Sequence, residues 1–175
     1  MIYLCFEKCE KTSESRHLAG IRARDRLFDV FGIGRDTVYT SDTGKPLCRD
    51  ERFAFSVSHS GDIAVCALKC DIEQYGIPDD IFVIFEAIPS SSIGVDIEEI
   101  SDSLSVDKMM RVSARFLESE ISDKDEFLRE WTRGEAYGKF TGNGITDAKK
   151  ISIDRVFYSF EIEVFEKKYY LSVCI

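Results

Sequence analysis

The sequence predicts an α+β fold of two similar halves, residues 1–92 and 93–175, and three observations predict it. Strand-like alternation at 53–58, 93–97 and 151–175 is interleaved with helical spacing at 13–31, 106–117 and 125–140. Each half offers a helix followed by strands, and Ala64-Val65-Cys66 in one resembles Ser172-Val173-Cys174 in the other, a weak repeat. The 175 residues are 44% hydrophobic and 31% charged with 3 Pro, enough apolar material for one packed domain or two small ones.

Residues 1–6 read as a short strand. From 13 to 31 the spacing turns helical, with Leu18, Ile21 and Phe28 on one side, Arg22 and Arg26 four apart, and Gly32 placed to end the helix. Phe53, Phe55 and Val57 alternate with smaller or polar residues, Ser60-Gly61-Asp62 turns the chain, and 63–68 is continuously apolar, which together describe a β-hairpin. An acidic loop with Gly76 and Pro78 spans 71–80 and leads to a strand at 81–88. Pro89-Ser90-Ser91-Ser92 breaks the pattern and marks the boundary between halves. Beyond it Ile93, Val95 and Ile97 share one strand face, Asp96 and Glu98 the other. Helices at 106–117 and 125–140 and a pair of strands in 151–175 complete the order.

The charge balance, 23 − 32 = −9 with a pI near 4.8, excludes a general nucleic-acid coating role, because phosphate backbones would be repelled. Glu7, Lys8, Glu10 and Lys11 leave no apolar core of signal-peptide length near Met1, so a cytoplasmic location is expected. The apolar runs 63–68 and 81–85 fall far short of the roughly 20 residues a membrane helix needs. Of the six cysteines, Cys5/Cys9 and Cys66/Cys70 repeat a three-residue gap from which a four-thiolate zinc site could be assembled. Cys66 and Cys174 instead lie inside apolar runs, which favours buried reduced thiols.

Four features carry chemistry. Asp96 and Glu98, two apart on a strand, project from one face at roughly 7 Å Cα separation and can grip a hard cation such as Mg²⁺; a solvated acidic face is the plain alternative. Trp131, Glu135 and Lys139 recur every four residues and stand on one helical face, as an ordinary ion pair with a core tryptophan would too. Gly134 and Gly138 in that helix each cost about 1 kcal/mol relative to Ala, so something approaches the helix backbone there. Ser58-His59-Ser60-Gly61 ends a strand in a turn of small donors beside one of two histidines, suited to phosphate or to no more than a hairpin. Arg16, Arg22, Arg24 and Arg26 make the first helix basic in an acidic protein, and Lys45 adds a further cation.

Taken in order, Gly44-Lys45-Pro46, Phe55-Ser56-Val57-Ser58-His59-Ser60-Gly61, Ile93-Gly94-Val95-Asp96-Ile97-Glu98, Arg115-Phe116 with Glu120, and Trp131-Thr132-Arg133-Gly134-Glu135-Ala136-Tyr137-Gly138-Lys139 resemble the phosphopantetheinyl transferases. The match runs through most of the chain and is to the monomeric branch that activates peptide and polyketide synthases. The resemblance implies two α/β halves related by a pseudo-twofold axis with coenzyme A in the cleft between them. It implies holo-acyl-carrier-protein synthase chemistry: transfer of the phosphopantetheine arm to a serine of an acyl or peptidyl carrier protein, releasing adenosine 3′,5′-bisphosphate. By the match, Asp96, Glu98 and Glu135 hold Mg²⁺, and Lys139 stabilises the pyrophosphate. Glu135, directly or through a bound water, takes the serine proton. Ser58, His59 and Arg24, or Arg22 or Arg26 in its place, meet phosphate groups, while Lys45 and Pro46 lie near the adenine.

Two departures stand out. Gly134 replaces the lysine that usually precedes the helix glutamate, and 69–92 is longer than the usual connection. The first favours the alternative of a degenerate member that binds coenzyme A or a carrier protein without catalysis.

Overall fold

The computed structural model describes residues 1–72, 74, 76–84, 91–101, 105, 109, 111, 112, 115, 121, 123–145, 151 and 155–175. Their fold is mixed α+β. A four-stranded antiparallel sheet has the order β4-β5-β1-β6, built from β1 (Ile2–Lys8), β4 (Phe53–Ser60), β5 (Ile63–Cys70) and β6 (Ile81–Ile84). A second, three-stranded sheet has the order β7-β9-β8, from β7 (Gly94–Glu99), β8 (Phe157–Val164) and β9 (Lys167–Cys174). A small ribbon pairs β2 (Val38–Thr40) with β3 (Pro46–Cys48) after a single 3₁₀ turn, Arg35–Thr37.

The long helices are α1 (Ser13–Phe31) and α2 (Lys124–Thr141). The Thr12 hydroxyl accepts the Ser15 N–H to start α1, the Asp123 carboxylate accepts the Glu126 N–H to start α2, and Gly32 and Gly142 end them in left-handed conformation. Met109, Arg111, Val112 and Arg115 are helical, while the rest of the expected 106–117 helix, positions 85–88 of the expected strand and Pro89 and Ser90 lie outside the described residues.

Strand periodicity sorts the core. Tyr3, Cys5, Cys66 and Leu68 point from β1 and β5 to α1, where they meet Ala23, Leu27 and Phe28. Their neighbours Ile2, Leu4, Phe6, Ile63, Val65 and Ala67 point the other way and pack on Val95, Ile97, Leu171 and Val173 of the second sheet. Because β5 is covered on both faces, all eight of its residues are buried, Lys69 included, which is why 63–68 is a continuous apolar run rather than an alternation.

The buried stripe of α1 differs from the expected one. Leu18 is 47% exposed, and the inward residues are Ala19, Gly20, Ala23, Leu27 and Phe28. Small side chains let the helix lie close to the sheet, as at Gly20, whose Cβ would press on Val57.

On the far side of the second sheet, α2 lies against β7 and β9. The Thr132 and Ser172 hydroxyls share a buried hydrogen bond of 2.8 Å, and Ser172 reaches Ser159 at 2.9 Å. The close approach depends on Gly94, where a Cβ would collide with the Ala136 carbonyl oxygen and the Phe140 backbone nitrogen. The expected approach to the helix backbone at Gly138 is made by the chain's own Gly144. Gly94→Ala should therefore push α2 off β7 and lower stability by at least about 2 kcal/mol. Urea denaturation measures this, and an unchanged midpoint would mean that the helix does not rest on that strand.

Candidate functional site

The two sheets meet edge to edge at β4 and β7, and the site grows from that seam. Phe53 and Phe55 of β4 point to α1, so Ser56, Ser58 and Ser60 point the other way, toward β7. The Ser56 hydroxyl accepts the Val95 N–H at 3.1 Å and the Ser60 hydroxyl accepts the Glu99 N–H at 3.0 Å. Side-chain hydroxyls thus satisfy backbone groups of an edge strand where no ladder partner exists.

Between these two bonds the polar side chains converge. Asp96 is 5% exposed, and its Oδ1 accepts from the Ser58 hydroxyl and from the Lys139 ammonium, each at 2.7 Å. Lys139 also donates to Ser58 Oγ at 2.7 Å, closing a triangle of groups from β4, β7 and α2. Glu98 Oε2 accepts from Ser60 at 2.7 Å, and its Oε1 from the Trp131 indole N–H at 3.3 Å. Asp96 Oδ2 is buried and has no hydrogen-bond partner among the described residues.

The electrostatics of the cluster are those of surplus negative charge. Burial, then the neighbouring Asp96 charge, raises the Glu98 carboxyl above its ordinary value despite bonds from Ser60 and Trp131. Burial and Asp96, with a contribution from Glu98, raise Glu135 in the same way, and Lys139 opposes both shifts. Among the described residues no set of three His, Cys, Asp or Glu side chains is already gathered into a metal cage. The donors nevertheless fit a hard divalent cation: all are carboxylate oxygens, they repel one another, and the buried Asp96 Oδ2 is unpartnered.

Open space flanks the cluster on both sides. A pocket of about 400 Å³ is lined by Gly44, Lys45, Pro46, Gly138, Lys139 and Asn143. A groove of about 490 Å³ is lined by Arg16, Ser60, Glu98, Phe127, Leu128 and Trp131. Lys45 contributes its carbon stem to the first, since its ammonium is tied to Ser92 Oγ, the Ile93 carbonyl and the Phe140 carbonyl near the end of α2. Burial holds that ammonium down to a pKa of about 8.

The remaining expected site residues lie apart from the triangle. His59 alternates with Ser58 and is exposed on the opposite strand face. Partial burial of its ring, then the Lys139 and Arg16 charges, hold the imidazole below its ordinary value. Arg24 spends Nε and Nη2 on Asp25 and lies over Phe28, Arg22 reaches the Lys8 carbonyl and Glu7, and Arg26 pairs with Asp80. The arginine of α1 that borders the groove is Arg16, which donates twice to the Gly61 carbonyl. Arg133 stacks on Phe157 and reaches Glu130, while Gly134 beside it is buried. Phe116 and Glu120 lie outside the described residues.

Ser60 and Arg16 belong to the small-donor turn and the basic helix of the sequence reading, which gives neither a role of its own at the site. The two-residue spacing of Ser56, Ser58 and Ser60 matched to that of Asp96 and Glu98 was the available signal for Ser60. The described cysteines are reduced, and burial pushes Cys5 and Cys174 up to about 12, in keeping with thiols that act as small apolar residues. Among the described residues no helix is long and apolar enough to cross a membrane. No family model matches the chain, and no curated protein is significantly similar to it in sequence.

The raised Glu135 carboxyl has a consequence for stability. In the window between its ordinary and its native pKa, the folded chain holds a proton that the unfolded chain has released, so this group favours folding as pH falls and disfavours it as pH rises. Glu135→Gln should raise the melting temperature at pH 7 in chelator by roughly 2–4 °C. The gain should shrink toward pH 5; thermal melts at both values check it, and a gain independent of pH would contradict the assignment.

Proposed function

We propose that this protein is a phosphopantetheinyl transferase, carrying the phosphopantetheine arm of coenzyme A to a serine of an acyl or peptidyl carrier protein. The observation that supports this best is the meeting of three ordered motifs, at Ser58, Asp96 and Lys139, in one buried triangle with an unpartnered carboxylate oxygen beside it. Chance acidic alternation and an ordinary helical ion pair do not account for that meeting. In this reading the chain is two α/β halves, 1–92 and 93–175, related by a pseudo-twofold axis, with coenzyme A between them.

The nucleotide end lies in the pocket beside Gly44, Lys45 and Pro46, whose apolar stems and ring suit an adenine. His59 and Ser58 meet its phosphates, and Arg24 joins them on exchanging Asp25 for phosphate. Asp96, Glu98 and Glu135 would hold Mg²⁺, which when bound supplies positive charge to the pyrophosphate.

The carrier serine oxygen forms a bond to the β-phosphorus as the bond from that phosphorus to the oxygen of adenosine 3′,5′-bisphosphate breaks. Glu135, with a carboxyl raised by burial, accepts the serine proton. Lys139 meets the negative charge that develops on the leaving side, in a site where burial strengthens the interaction. The stretch 69–92, longer than the usual connection, supplies β6, which pairs with β1 at the far edge of the first sheet from β4.

Purified protein incubated with Mg²⁺, coenzyme A and a panel of unmodified carrier proteins should add one phosphopantetheine to a carrier, as read by intact-mass spectrometry. Asp96→Asn should lower the rate by at least about 100-fold while leaving the fold intact by circular dichroism. Retained turnover in that variant would remove the assigned role of Asp96. Coenzyme A binding by calorimetry without any modified carrier would favour the non-catalytic reading, for which Gly134 in place of a lysine is the specific observation.

A further inference from the structure

The row of serines on β4 does more than close the seam between the sheets. Ser58 and Ser60 are two apart on one strand, Asp96 and Glu98 are two apart on the facing one, and the hydroxyls meet the carboxylates one to one at 2.7 Å. Ser60 is engaged twice, since its oxygen accepts the Glu99 N–H while its proton goes to Glu98 Oε2. The backbone bond fixes where the hydroxyl oxygen sits, and the hydroxyl proton is directed at Glu98 Oε2. On the other oxygen of Glu98, Trp131 donates from α2. Glu98 is therefore held by one donor from each side, which sets its orientation beside Asp96.

We infer that Ser60 is a positioning residue for the cation site, orienting Glu98 so that it and Asp96 present oxygens to one divalent ion. This rests on the reading of Asp96, Glu98 and Glu135 as its ligands. Hydrogen bonds to a ligating carboxylate restrict its rotation, and loss of such an outer partner typically costs about 10- to 100-fold in metal affinity. Ser56 makes a built-in control. It accepts a β7 N–H as a seam residue must, at Val95, and among the described residues its hydroxyl makes no hydrogen bond to Asp96 or Glu98.

The test titrates the intact protein with Mn²⁺ alone, by calorimetry and by the emission of Trp131, the single tryptophan, which touches Glu98. Ser60→Ala should weaken Mn²⁺ binding by about 10- to 100-fold and Ser60→Thr should restore it, whereas Ser56→Ala should keep wild-type affinity. Urea midpoints measured alongside separate seam stability from affinity, because both alanine variants lose one acceptor for a β7 amide. Equal Mn²⁺ affinity in Ser60→Ala and Ser56→Ala would overturn the positioning role and leave the cation site standing. Absence of Mn²⁺ binding by the wild-type chain would overturn the cation site itself, and the positioning role with it.

Discussion

The buried carboxylate of Asp96 is the constraint on which the rest of the site depends. A charge that is 5% exposed is tolerated only with compensating donors, and here they come from two other elements, Ser58 of β4 and Lys139 of α2. Meeting that requirement forces β4, β7 and α2 to a common point. The alternating residues Val95 and Ile97 meanwhile fix β7 to the shared core on its other face. One strand thus carries the apolar anchor of the second sheet and the polar centre of the site, separated only by the pleat.

The surroundings follow from keeping that point accessible to the chain's own elements. Gly94 removes the side chain that would hold α2 away from β7, and Gly138 leaves room for Gly144 against the same helix. The Lys45 ammonium joins Phe140 near the end of α2 to Ser92 and Ile93, just ahead of β7, and so fixes the loop before β3 against the same corner. A small hairpin is in this way held beside the cluster, with the pocket lined by Gly44, Lys45 and Pro46 between them.

The cluster's own electrostatics run against stability. Glu98 and Glu135 are raised by burial and by Asp96, and one ammonium offsets three carboxyl groups only in part. Groups arranged in this way are a feature of sites that bind cations or move protons rather than of inert cores. Opposite them, the hydroxyl chain from Thr132 through Ser172 to Ser159 is internally satisfied and serves to seat α2. The same helix therefore has one row of residues that anchors it and another that is electrostatically strained.

Much of this was legible in the residues alone. The bounds of α1, the hairpin of β4 and β5, the two faces of β7 and the shared face of Trp131, Glu135 and Lys139 all follow from periods of two and 3.6 residues, which are local properties of the backbone. The strands β2 and β3 were not, because three-residue segments carry too little alternation to register. Nor was the inward stripe of α1, where small residues pack in place of Leu18. What the sequence by itself determined was which side chains share a face. Which faces meet was decided by the tertiary structure: the pairing of Ser58 with Asp96 and of Ser60 with Glu98 spans 38 residues in each case, and Lys139 reaches Asp96 across 43. The physical reason is that burying both faces of the first sheet brings β7 beside β4, and no local period records that distance.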